Sequence, residues 1–596
     1  MDMNIENLDP IEREKILKEL LESTKPSKKN QTIIHNDQER FDIYPLSDVQ
    51  KSYWVENKGV LKFNRRLSNI YVCLNFDKTG FIFPKILKVR LEKSVNLLIQ
   101  NHDILRTKIV KEFKQQTSNE KLKFRVELKK YSKILRNENI LESQKQSLIN
   151  NHINYGEWPL LKIIVTQWKD STNVQMSISP LLMDGDGVAL FLTQLFQNAL
   201  GFRHKRVYDN GLTYRDYVVH YEKQKGTTDY LNAKEKKIAR LENLPPAPNL
   251  PLKDRRSIRK FENQRFKIDK FTLLTAQEWE EFQELIAKKK VTVPAVLLTM
   301  FADAVSKWVA SPRYYLGMIN TYHLPELESA NVSILGNFNT VDFIEFDSGI
   351  ATFYERVLDI SKQFAFNYDN GRYSGFEEIR KLRVDRQLGA EVTFPVGFNC
   401  TVNIAHPSQD DVLKPNNILM KFGEKYLPSL KMEELNIYTT QFPFIPTIER
   451  GDSGELNCKF ARYLEYFQDG VLEDILGSFK QNIKLILNDE NYWCYSTKET
   501  FKNIASSNFV EPESQYYRKE ILNKIKKIHF DIVGFKPENL ENLYFFGMYS
   551  IQILRFCSEI NKEFDESFTP DDLLLFAETV NDLVEYIAYK KGVNNG

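Results

Sequence analysis

Two places in the sequence combine residue types and spacing that could do chemistry, and the first is a short acidic segment. SPLLMDGDG, residues 179–187, lies between a strand-like run, VQMSI, and a long apolar run, VALFLTQLFQNAL. A strand-to-helix corner is a common place for catalytic groups, because a rigid scaffold aims them into a cleft. The titratable side chains of this corner are acidic, and Pro180, just past the strand, has no side-chain proton to exchange. A carboxylate could act here, whereas a histidine base is excluded.

The second place is Ser550 in the segment FFGMYSIQIL, at the predicted start of a helix. Most serines at a helix N-terminus only cap it, by accepting a hydrogen bond from a backbone amide. The neighbours allow a second interpretation. Gly547 ends a loop three residues before the serine, and Ile551 and Leu554 would anchor the helix behind it. Ser550 is therefore either a helix cap or a functional hydroxyl.

The composition is that of ordinary globular domains. A chain of 596 residues exceeds what one hydrophobic core supports, so several domains are expected. Lys and Arg (82) nearly balance Asp and Glu (80), which leaves no charge excess to attract nucleic acid or an anionic membrane. The five cysteines are scattered without a CxxC pair, so no disulfide frame or metal site is predicted. The polar N-terminus and the short apolar runs predict a cytoplasmic protein without a membrane span.

Alternating strand and helix patterns from residue 39 to residue 490 predict an α/β domain made of two lobes. Near the middle stands LPPAPNLPL, residues 244–252, whose prolines favour polyproline II and forbid helix. This strap is expected to join an N-terminal lobe at about 39–243 to a C-terminal lobe at about 253–490.

Helix-start signals mark further elements. Thr275 and Thr292 are predicted N-caps of two helices in the second lobe. DPIEREKILKELLE, residues 9–22, predicts a short helix with a narrow apolar stripe, and a polar linker follows it. The N-terminal segment 1–38 could be a strut packed on the next domain or a docking element for another protein, and the sequence favours neither.

After residue 490 the character of the chain changes. A polar and irregular stretch, 491–514, is predicted to be a linker, and residues 515–592 are predicted to be helical throughout. Apolar residues at i, i+3, i+4 and i+7 give each of these helices one buried face. The segment therefore predicts an all-α four-helix bundle of its own.

This C-terminal bundle resembles the peptidyl carrier (thiolation) domain. Gly547 and Ser550 stand where that family has its glycine-rich turn and its serine. The family's downstream signature is matched by Phe576, Thr579, Asp582 and Leu583. The resemblance implies that Ser550 carries 4′-phosphopantetheine, whose phosphodiester would meet free amides at the positive end of a helix. Tyr549 departs from the family pattern, which has an acidic residue or histidine there.

The α/β domain is similar to the heterocyclization domains of nonribosomal peptide synthetases, which are relatives of their condensation domains. The resemblance covers about residues 41–488 and rests on YPLSDVQKSYWVEN, NHDILR, LPPAPNLPL, VTVPAVLLTMFADAVSKW and GNFN. LPPAPNLPL matches the family's third motif at every specified position. The resemblance implies two chloramphenicol-acetyltransferase-like lobes, with carrier arms entering a tunnel between them from opposite sides.

The acidic corner departs from the family's sequence. Condensation domains have His-His-x-x-x-Asp-Gly here, and heterocyclization domains have Asp-x-x-x-x-Asp. In this chain Ser179 stands at the first acid, Pro180 stands at the second histidine, and Asp184 is kept. We expect Asp184 to hold the corner by accepting backbone or arginine hydrogen bonds, with proton transfer as the alternative. A buried and paired carboxylate is a poor base.

The ring-closing residues implied by the resemblance depart as well. Asn399 stands where the family has its cyclodehydration threonine, and Ile448 stands where it has an aspartate. Asparagine cannot exchange a proton at neutral pH, and isoleucine cannot even form a hydrogen bond through its side chain. Ring closure is therefore not expected unless another residue substitutes. The residues considered for such a role are Cys400, Thr401, Thr439, Thr440 and Gln441.

Two functions follow from these resemblances. In the first, the chain joins an acyl thioester to an aminoacyl thioester by proximity and orientation, without forming a ring. In the second, the large domain is a non-catalytic docking platform and the carrier is the working part. His102 and His323 lie in matched segments and are expected to be structural.

The resemblances also imply partners. A phosphopantetheinyl transferase would modify the carrier, and upstream and downstream carrier, synthetase or polyketide synthase subunits would exchange acyl groups with it. Because the sequence contains no adenylation segment, an adenylation enzyme acting in trans or on a neighbouring subunit is expected. No nucleic acid, membrane or metal partner is expected.

Overall fold

The computed structural model describes the greater part of the chain, in two compact units, Met1–Thr500 and Phe501–Gly596. The predicted helix at residues 9–22 lies outside the described residues. The described residues are 33–57, 68–77, 84–150, 154–200, 211–253, 266–329, 334–386, 388, 392–402, 430–438, 442–451, 453–498, 513–533, 550–564, 583, 584 and 587.

Fourteen strands are present within the described residues. They are β1 Tyr44–Pro45, β2 Asn69–Asp77, β3 Thr107–Lys111, β4 Lys114–Thr117, β5 Glu127–Tyr131, β6 Leu161–Trp168, β7 Ser171–Ile178, β8 Phe266–Leu274, β9 Arg313–Thr321, β10 Asn339–Asp347, β11 Gly397–Cys400, β12 Leu430–Tyr438, β13 Phe444–Arg450 and β14 Leu456–Tyr463.

The α-helices of the described residues are α1 Asp48–Asn57, α2 Pro84–Asn101, α3 Glu138–Ile149, α4 Gly185–Leu200, α5 Tyr214–Gln224, α6 Thr228–Glu242, α7 Ala276–Lys288, α8 Val293–Ser306, α9 Pro325–Ser329, α10 Phe353–Asp369, α11 Gly375–Asp385, α12 Val471–Asn488, α13 Glu513–Val533 and α14 Ser550–Phe564. Short 3-10 helices lie at Asp37–Glu39, Asp103–Arg106 and Glu490–Cys494.

The first lobe is built on a five-stranded sheet in the order β12-β2-β7-β6-β5. β2, β7 and β6 pair antiparallel, with Ile70 opposite Ile178. All eight residues of β7 are buried, because α3 covers one face of the sheet and the main core covers the other. A smaller sheet, β1-β4-β3, stands beside it.

The second lobe is built on a six-stranded sheet in the order β10-β9-β11-β13-β14-β8. α8 is buried on all sides from Pro294 to Val305, as its almost entirely apolar sequence requires. The predicted caps at its start and at the start of α7 are present, because Thr292 and Thr275 each accept a hydrogen bond from a backbone amide of their helix. The predicted α/β fold with two lobes is thus present.

The strap at residues 244–252 connects the two hydrophobic cores. Leu244 belongs to the core of the first lobe and Leu250 to that of the second. The carbonyl oxygen of Pro246 accepts a hydrogen bond from the Tyr315 amide at 3.1 Å, and that of Pro251 accepts one from Gln468 at 3.1 Å. The prolines cannot donate, so the strap is held through its carbonyl groups.

β12 crosses from the second lobe to the first, which the sequence patterns did not predict. It pairs antiparallel with β2, and a bulge interrupts the register between Met432 and Glu434. The bulge residue, Glu433, forms an ion pair with Arg136 and accepts a hydrogen bond from Asn173 at 3.4 Å. Bulges re-aim single side chains, and this one turns a carboxylate toward the first lobe.

The linker predicted at 491–514 begins later than expected. Tyr492 and Trp493 are buried in the second core, and Thr497 Oγ1 donates a hydrogen bond to Asp303 Oδ1 at 3.1 Å. Asp303 is itself buried and paired with Arg356 at 3.0 Å. Residues up to at least Thr497 are therefore part of the α/β domain, because their aromatic side chains complete its core.

The C-terminal unit contains α13 and α14 among its described residues. They pack through a common apolar core with three helical residues near the end of the chain: the buried residues are Ile521, Ile525, Phe556, Cys557, Ile560, Phe564, Leu583, Val584 and Ile587. The other predicted helices of this bundle lie outside the described residues. Across both units, no helix that the structure describes is long and apolar enough to cross a membrane.

We predict that Glu433→Gln loosens β12 without unfolding the chain. The Arg136–Glu433 pair is partly exposed, so its loss is expected to cost about 1 kcal/mol. That cost corresponds to about a fivefold rise in amide exchange across residues 430–438, measurable by hydrogen–deuterium exchange. Glu280→Gln is the control variant, at an exposed site on α7, and it should leave amide exchange across residues 430–438 unchanged. Equal exchange in the wild type and Glu433→Gln would contradict the role of the ion pair.

Candidate functional site

The acidic corner is a tight turn between β7 and α4, and its first residues are used structurally. Ser179 is buried, and its hydroxyl oxygen accepts a hydrogen bond from the Leu181 amide at 3.2 Å. Pro180 accepts a hydrogen bond through its carbonyl oxygen from Asn337 Nδ2 at 2.7 Å. The residues that replace an acid and a histidine of the resemblance therefore shape the turn and offer no base.

Asp184 connects the corner to a segment of the second lobe. Its carboxylate accepts hydrogen bonds from the Gly187 amide and from the Phe338 amide, both at 2.8 Å. The Asp184 amide donates to the carbonyl oxygen of Gly336 at 3.2 Å. One residue thus makes three hydrogen bonds that hold α4 and the segment before β10 together.

The environment of Asp184 sets its proton affinity. Burial raises the pKa of its carboxyl to about 6, although the amides of Phe338 and Gly187 oppose the shift by stabilising the carboxylate. At neutral pH the group is mostly ionised, but both carboxylate oxygens are occupied by backbone donors. The geometry suits a structural tie and is unfavourable for proton transfer to a substrate.

The segment Gly336–Asn339, the GNFN motif, fits against the corner because its first residue lacks a side chain. A Cβ on Gly336 would lie 2.1 Å from Cδ2 of Tyr214. The Tyr214 hydroxyl donates to the carbonyl oxygen of Asn337 at 2.6 Å, and the Asn337 side chain also hydrogen bonds with Tyr53. Sequence patterns singled out GNFN but did not predict that it lies on the corner.

The first motif, YPLSDVQKSYWVEN, supports the corner from the other side. Gln50 Nε2 donates to the carbonyl oxygen of Leu181 at 2.8 Å, and Gln50 Oε1 accepts from the Ser47 amide at 3.0 Å. Gln50 and Tyr53 are both buried. Two residues that carried the family resemblance are therefore hydrogen-bonding partners of the turn and of the segment that faces it.

Asn399 and Ile448 lie on neighbouring strands but on opposite faces of the second sheet. On β11, Asn399 pairs with Thr447 and Cys400 pairs with Ile448. Paired residues of a sheet share a face and successive residues alternate. Ile448 is buried in the second core, so its side chain points away from the face that Asn399 shares with Thr447. Strand alternation thus makes Thr447 the neighbour of Asn399.

The residues considered as substitutes for ring closure differ in their surroundings. Burial raises the pKa of the Cys400 thiol to about 12, which leaves it protonated at neutral pH. Thr401 Oγ1 donates a hydrogen bond to the carbonyl oxygen of Ile448 at 3.0 Å. Thr439, Thr440 and Gln441 lie outside the described residues.

In the C-terminal unit, α14 begins at Ser550. The helix is oriented by its buried residues Phe556, Cys557 and Ile560, which pack against α13. An ion pair between Lys524 and Glu563, at 3.2 Å, adds a second contact. The first four amides of a helix lack intrahelical partners, so a phosphodiester fits at its first residue. Gly547 and Tyr549 lie outside the described residues, as do Phe576, Thr579 and Asp582.

Comparison with known families assigns both units. The profile of the condensation domain matches residues 41–497. The chain belongs to the condensation domain family. A second profile, described as a phosphopantetheine attachment site, matches residues 531–587. The resemblance to a condensation-type domain followed by a carrier domain is therefore confirmed, and 4′-phosphopantetheine is the cofactor of the C-terminal domain.

Curated relatives are similar over the same part of the chain. Pyochelin synthetase PchF of Pseudomonas aeruginosa is 24% identical over 361 residues, which cover 60% of this chain and 19% of that protein. Bacitracin synthase 1 of Bacillus licheniformis is 20% identical over 377 residues, covering 61% of this chain and 7% of that protein. This chain thus spans a fifth or less of the length of these relatives.

Solved structures confirm the fold. The cyclization-docking bidomain of the EpoB synthetase from Sorangium cellulosum gives a TM-score of 0.66 at 20% identity, covering 81% of this chain and 92% of that chain. The X-domain from teicoplanin biosynthesis gives a TM-score of 0.59 at 13% identity, covering 79% of this chain and 99% of that chain. The predicted chloramphenicol-acetyltransferase-like architecture is that of the condensation domain fold.

We predict that Gly336→Ala destabilises the α/β domain. The added methyl group would overlap the Tyr214 ring, which the buried hydroxyl contacts hold in place, so we expect a loss of about 3 kcal/mol. Urea unfolding followed by tryptophan fluorescence measures this loss. Gly185→Ala is the matched control in the same corner, because a Cβ there meets no atom within 4 Å. It should change stability by less than about 0.5 kcal/mol; equal effects of the two variants would contradict the close contact.

Proposed function

We propose that this protein is part of a nonribosomal peptide synthetase, in which its condensation domain joins carrier-bound acyl and aminoacyl thioesters through an amide bond. The observation that carries the proposal is the intact hydrogen-bonded corner. Asp184 still connects α4 to the GNFN segment through two amides. Around it, the groups that would close a ring are replaced.

Ser550 is the proposed attachment site in the carrier domain. It is the first residue of α14, and it lies within the matched segment 531–587. When attached, the phosphopantetheine arm supplies the thiol that carries an acyl group as a thioester. The helix contributes backbone amides for the phosphodiester, and the packing of α14 on α13 sets the direction in which these amides point.

Amide formation places modest demands on the α/β domain. A free amine attacks a thioester readily once the two are held together, because positioning alone can supply about 7–11 kcal/mol of the barrier. A rigid corner between two lobes suits that task. The hydrogen bonds from Gln50 to Leu181 and from Asn337 to Pro180 would keep the turn in place while substrates are bound.

Ring closure is proposed to be absent. Dehydration of a ring intermediate needs an acid and a base. Each such group typically raises the reaction rate by about two to four orders of magnitude. Asn399 and Thr447 share one face of the second sheet, and neither side chain supplies the carboxylate that the resemblance implies. We infer that the domain is heterocyclization-like in descent and amide-forming in chemistry.

The alternative is that the α/β domain is a docking platform and the carrier alone takes part in chemistry. It is favoured by the use of Ser179, Pro180 and Asp184 as hydrogen-bonding partners of the turn. The X-domain, which has the same fold, has been solved in a complex with OxyB. A domain of this architecture can therefore serve as a binding surface.

The proposed partners follow from the carrier domain. A phosphopantetheinyl transferase would modify Ser550, an adenylation enzyme acting in trans would load it, and neighbouring carrier or synthetase subunits would supply the second thioester. The five cysteines all lie within the described residues and form no disulfide, although Cys73, Cys458 and Cys557 are buried, which agrees with the proposed cytoplasmic location.

We predict that Ser550 is the modified residue. Incubation with a promiscuous phosphopantetheinyl transferase and coenzyme A should add one arm to the wild type, and intact mass should show it. Ser550→Ala should add none, because the ester oxygen is gone. Ser558→Ala, at an exposed position of the same helix, should be modified like the wild type. An unmodified wild type would contradict the assignment.

We further predict a linear product. With a cysteinyl- or seryl-loaded carrier and an acyl donor carrier, mass spectrometry should detect the amide thioester and no species lighter by one more water. Loss of the second water would show that another residue closes the ring, and Asn399→Ala, Cys400→Ala and Thr447→Ala would then identify it. A fully loaded carrier that yields no product at all would favour the docking platform.

A further inference from the structure

A histidine from the second lobe lies beside the acidic corner, although Pro180 removes the histidine expected within it. His323 follows the end of β9, two residues after Thr321. The antiparallel pairing of β9 and β10 extends past the strand ends, because the Tyr322 amide donates to the carbonyl oxygen of Phe338 at 3.1 Å. Chain pairing thus holds the histidine next to the GNFN segment.

The imidazole of His323 packs edge-to-face on the ring of Phe338, with ring centroids 4.6 Å apart and planes at 66°. The amide of that same Phe338 donates to Asp184. The Phe338 ring is held on other sides by Tyr217 and Tyr214, at centroid distances of 4.8 and 5.5 Å. His323 therefore packs on the same aromatic residue whose backbone amide donates to the Asp184 carboxylate.

Asp186 supplies a charge that acts on His323 electrostatically. It lies in the first turn of α4, two residues after Asp184, and it is exposed. Burial lowers the pKa of His323 below its usual value, and the Asp186 carboxylate partly offsets this shift. The Tyr214 and Tyr217 hydroxyls behind Phe338 have pKa values raised by burial, so they stay neutral. A half-buried, neutral imidazole that feels the charge of a carboxylate can accept a proton as a general base.

We propose that His323, oriented by Phe338 and influenced by the charge of Asp186, is the general base for amide formation at this corner. This assignment rests on the proposed condensation function. The amine nitrogen forms a bond to the thioester carbonyl carbon, and the carbon–sulfur bond breaks with its electron pair leaving on sulfur. An imidazole nitrogen of His323 takes the proton that the amine nitrogen loses. The thiolate takes that proton up and leaves as a thiol, which restores the neutral imidazole.

The assignment explains how the corner can work without its own histidine. The residue at position 180 shapes the turn through its carbonyl oxygen, and Asn337, on the segment that also holds Phe338, binds that oxygen. The proposed base, His323, comes instead from the end of the paired strands β9 and β10. Asp186 acts as a positioning residue, because its charge raises the proton affinity of the imidazole without contact with the reacting atoms.

The test uses the full chain with loaded acyl and aminoacyl carriers, and follows the amide product under single-turnover conditions across pH. His323→Gln should lower the rate about 100-fold, the usual contribution of a general base, with saturation by the carriers little changed. His323→Asn should behave alike, and thermal unfolding of both should match the wild type. His220→Gln is the control: this half-buried histidine lies on α5, where it hydrogen bonds with Gln224 at 3.2 Å, and the rate should stay within threefold.

The pH profile separates a base from a structural residue. Wild-type rates should fall as pH drops through the pKa of His323, because the protonated imidazole cannot accept a proton. In Asp186→Asn the carboxylate no longer raises that pKa, so the acidic limb should move to lower pH while the chain remains folded. An unshifted limb would overturn the electrostatic influence of Asp186 on His323.

Two failures are distinguishable. A wild type that forms the amide while His323→Gln is as fast, with the same pH profile, overturns the base assignment and leaves the condensation function standing. A wild type that forms no amide from verified, fully loaded carriers overturns the condensation function and the base assignment together.

Discussion

The buried carboxylate of Asp184 is the interaction on which the site depends. It accepts one hydrogen bond from the Gly187 amide of α4, in the first lobe, and one from the Phe338 amide, in the second. Few side chains can bind two backbone donors from separate elements at once, and a carboxylate does so with charge-assisted hydrogen bonds. The energetic cost of burying the charge is visible in its raised pKa. Everything described around the corner, including Gly336, Asn337 and the aromatic group on Phe338, follows from keeping these two segments in contact.

That constraint separates two roles that are often combined in one residue. The carboxylate that holds the corner is unsuitable for proton exchange because both of its oxygens are occupied. Residues that take no part in the Asp184 hydrogen bonds, such as exposed Asp186, can stabilise charge at the site. A site of this kind can lose individual catalytic side chains and still keep its shape, since shape depends on backbone amides that no substitution removes, proline excepted.

Much of the fold was predictable from the sequence, and the exceptions have physical causes. Thr275 and Thr292 identified helix starts because capping is a local hydrogen-bonding preference. The strap was predictable because proline restricts its own backbone. β12 was missed because its pairing with β2 is decided by distant residues and not by local pattern. Motif alignment placed Asn399 and Ile448 at the family's threonine and aspartate positions, but alternation along β13 turns Ile448 into the core and leaves Thr447 as the neighbour of Asn399. The sequence predicted a structural role for His323, since its ring contact with Phe338 is long-range and leaves no local signal.

The crossing of β12 has a consequence for how the protein is made. Its contact with β2 joins positions 360 residues apart, as between Cys73 and Glu433. A ribosome adds about 5–20 residues per second, so β2 waits for about 20–70 s as an unpaired sheet edge after it is synthesised. Exposed edges of this kind invite pairing with other chains. The sheet of the first lobe is therefore completed only after most of the second lobe has been translated.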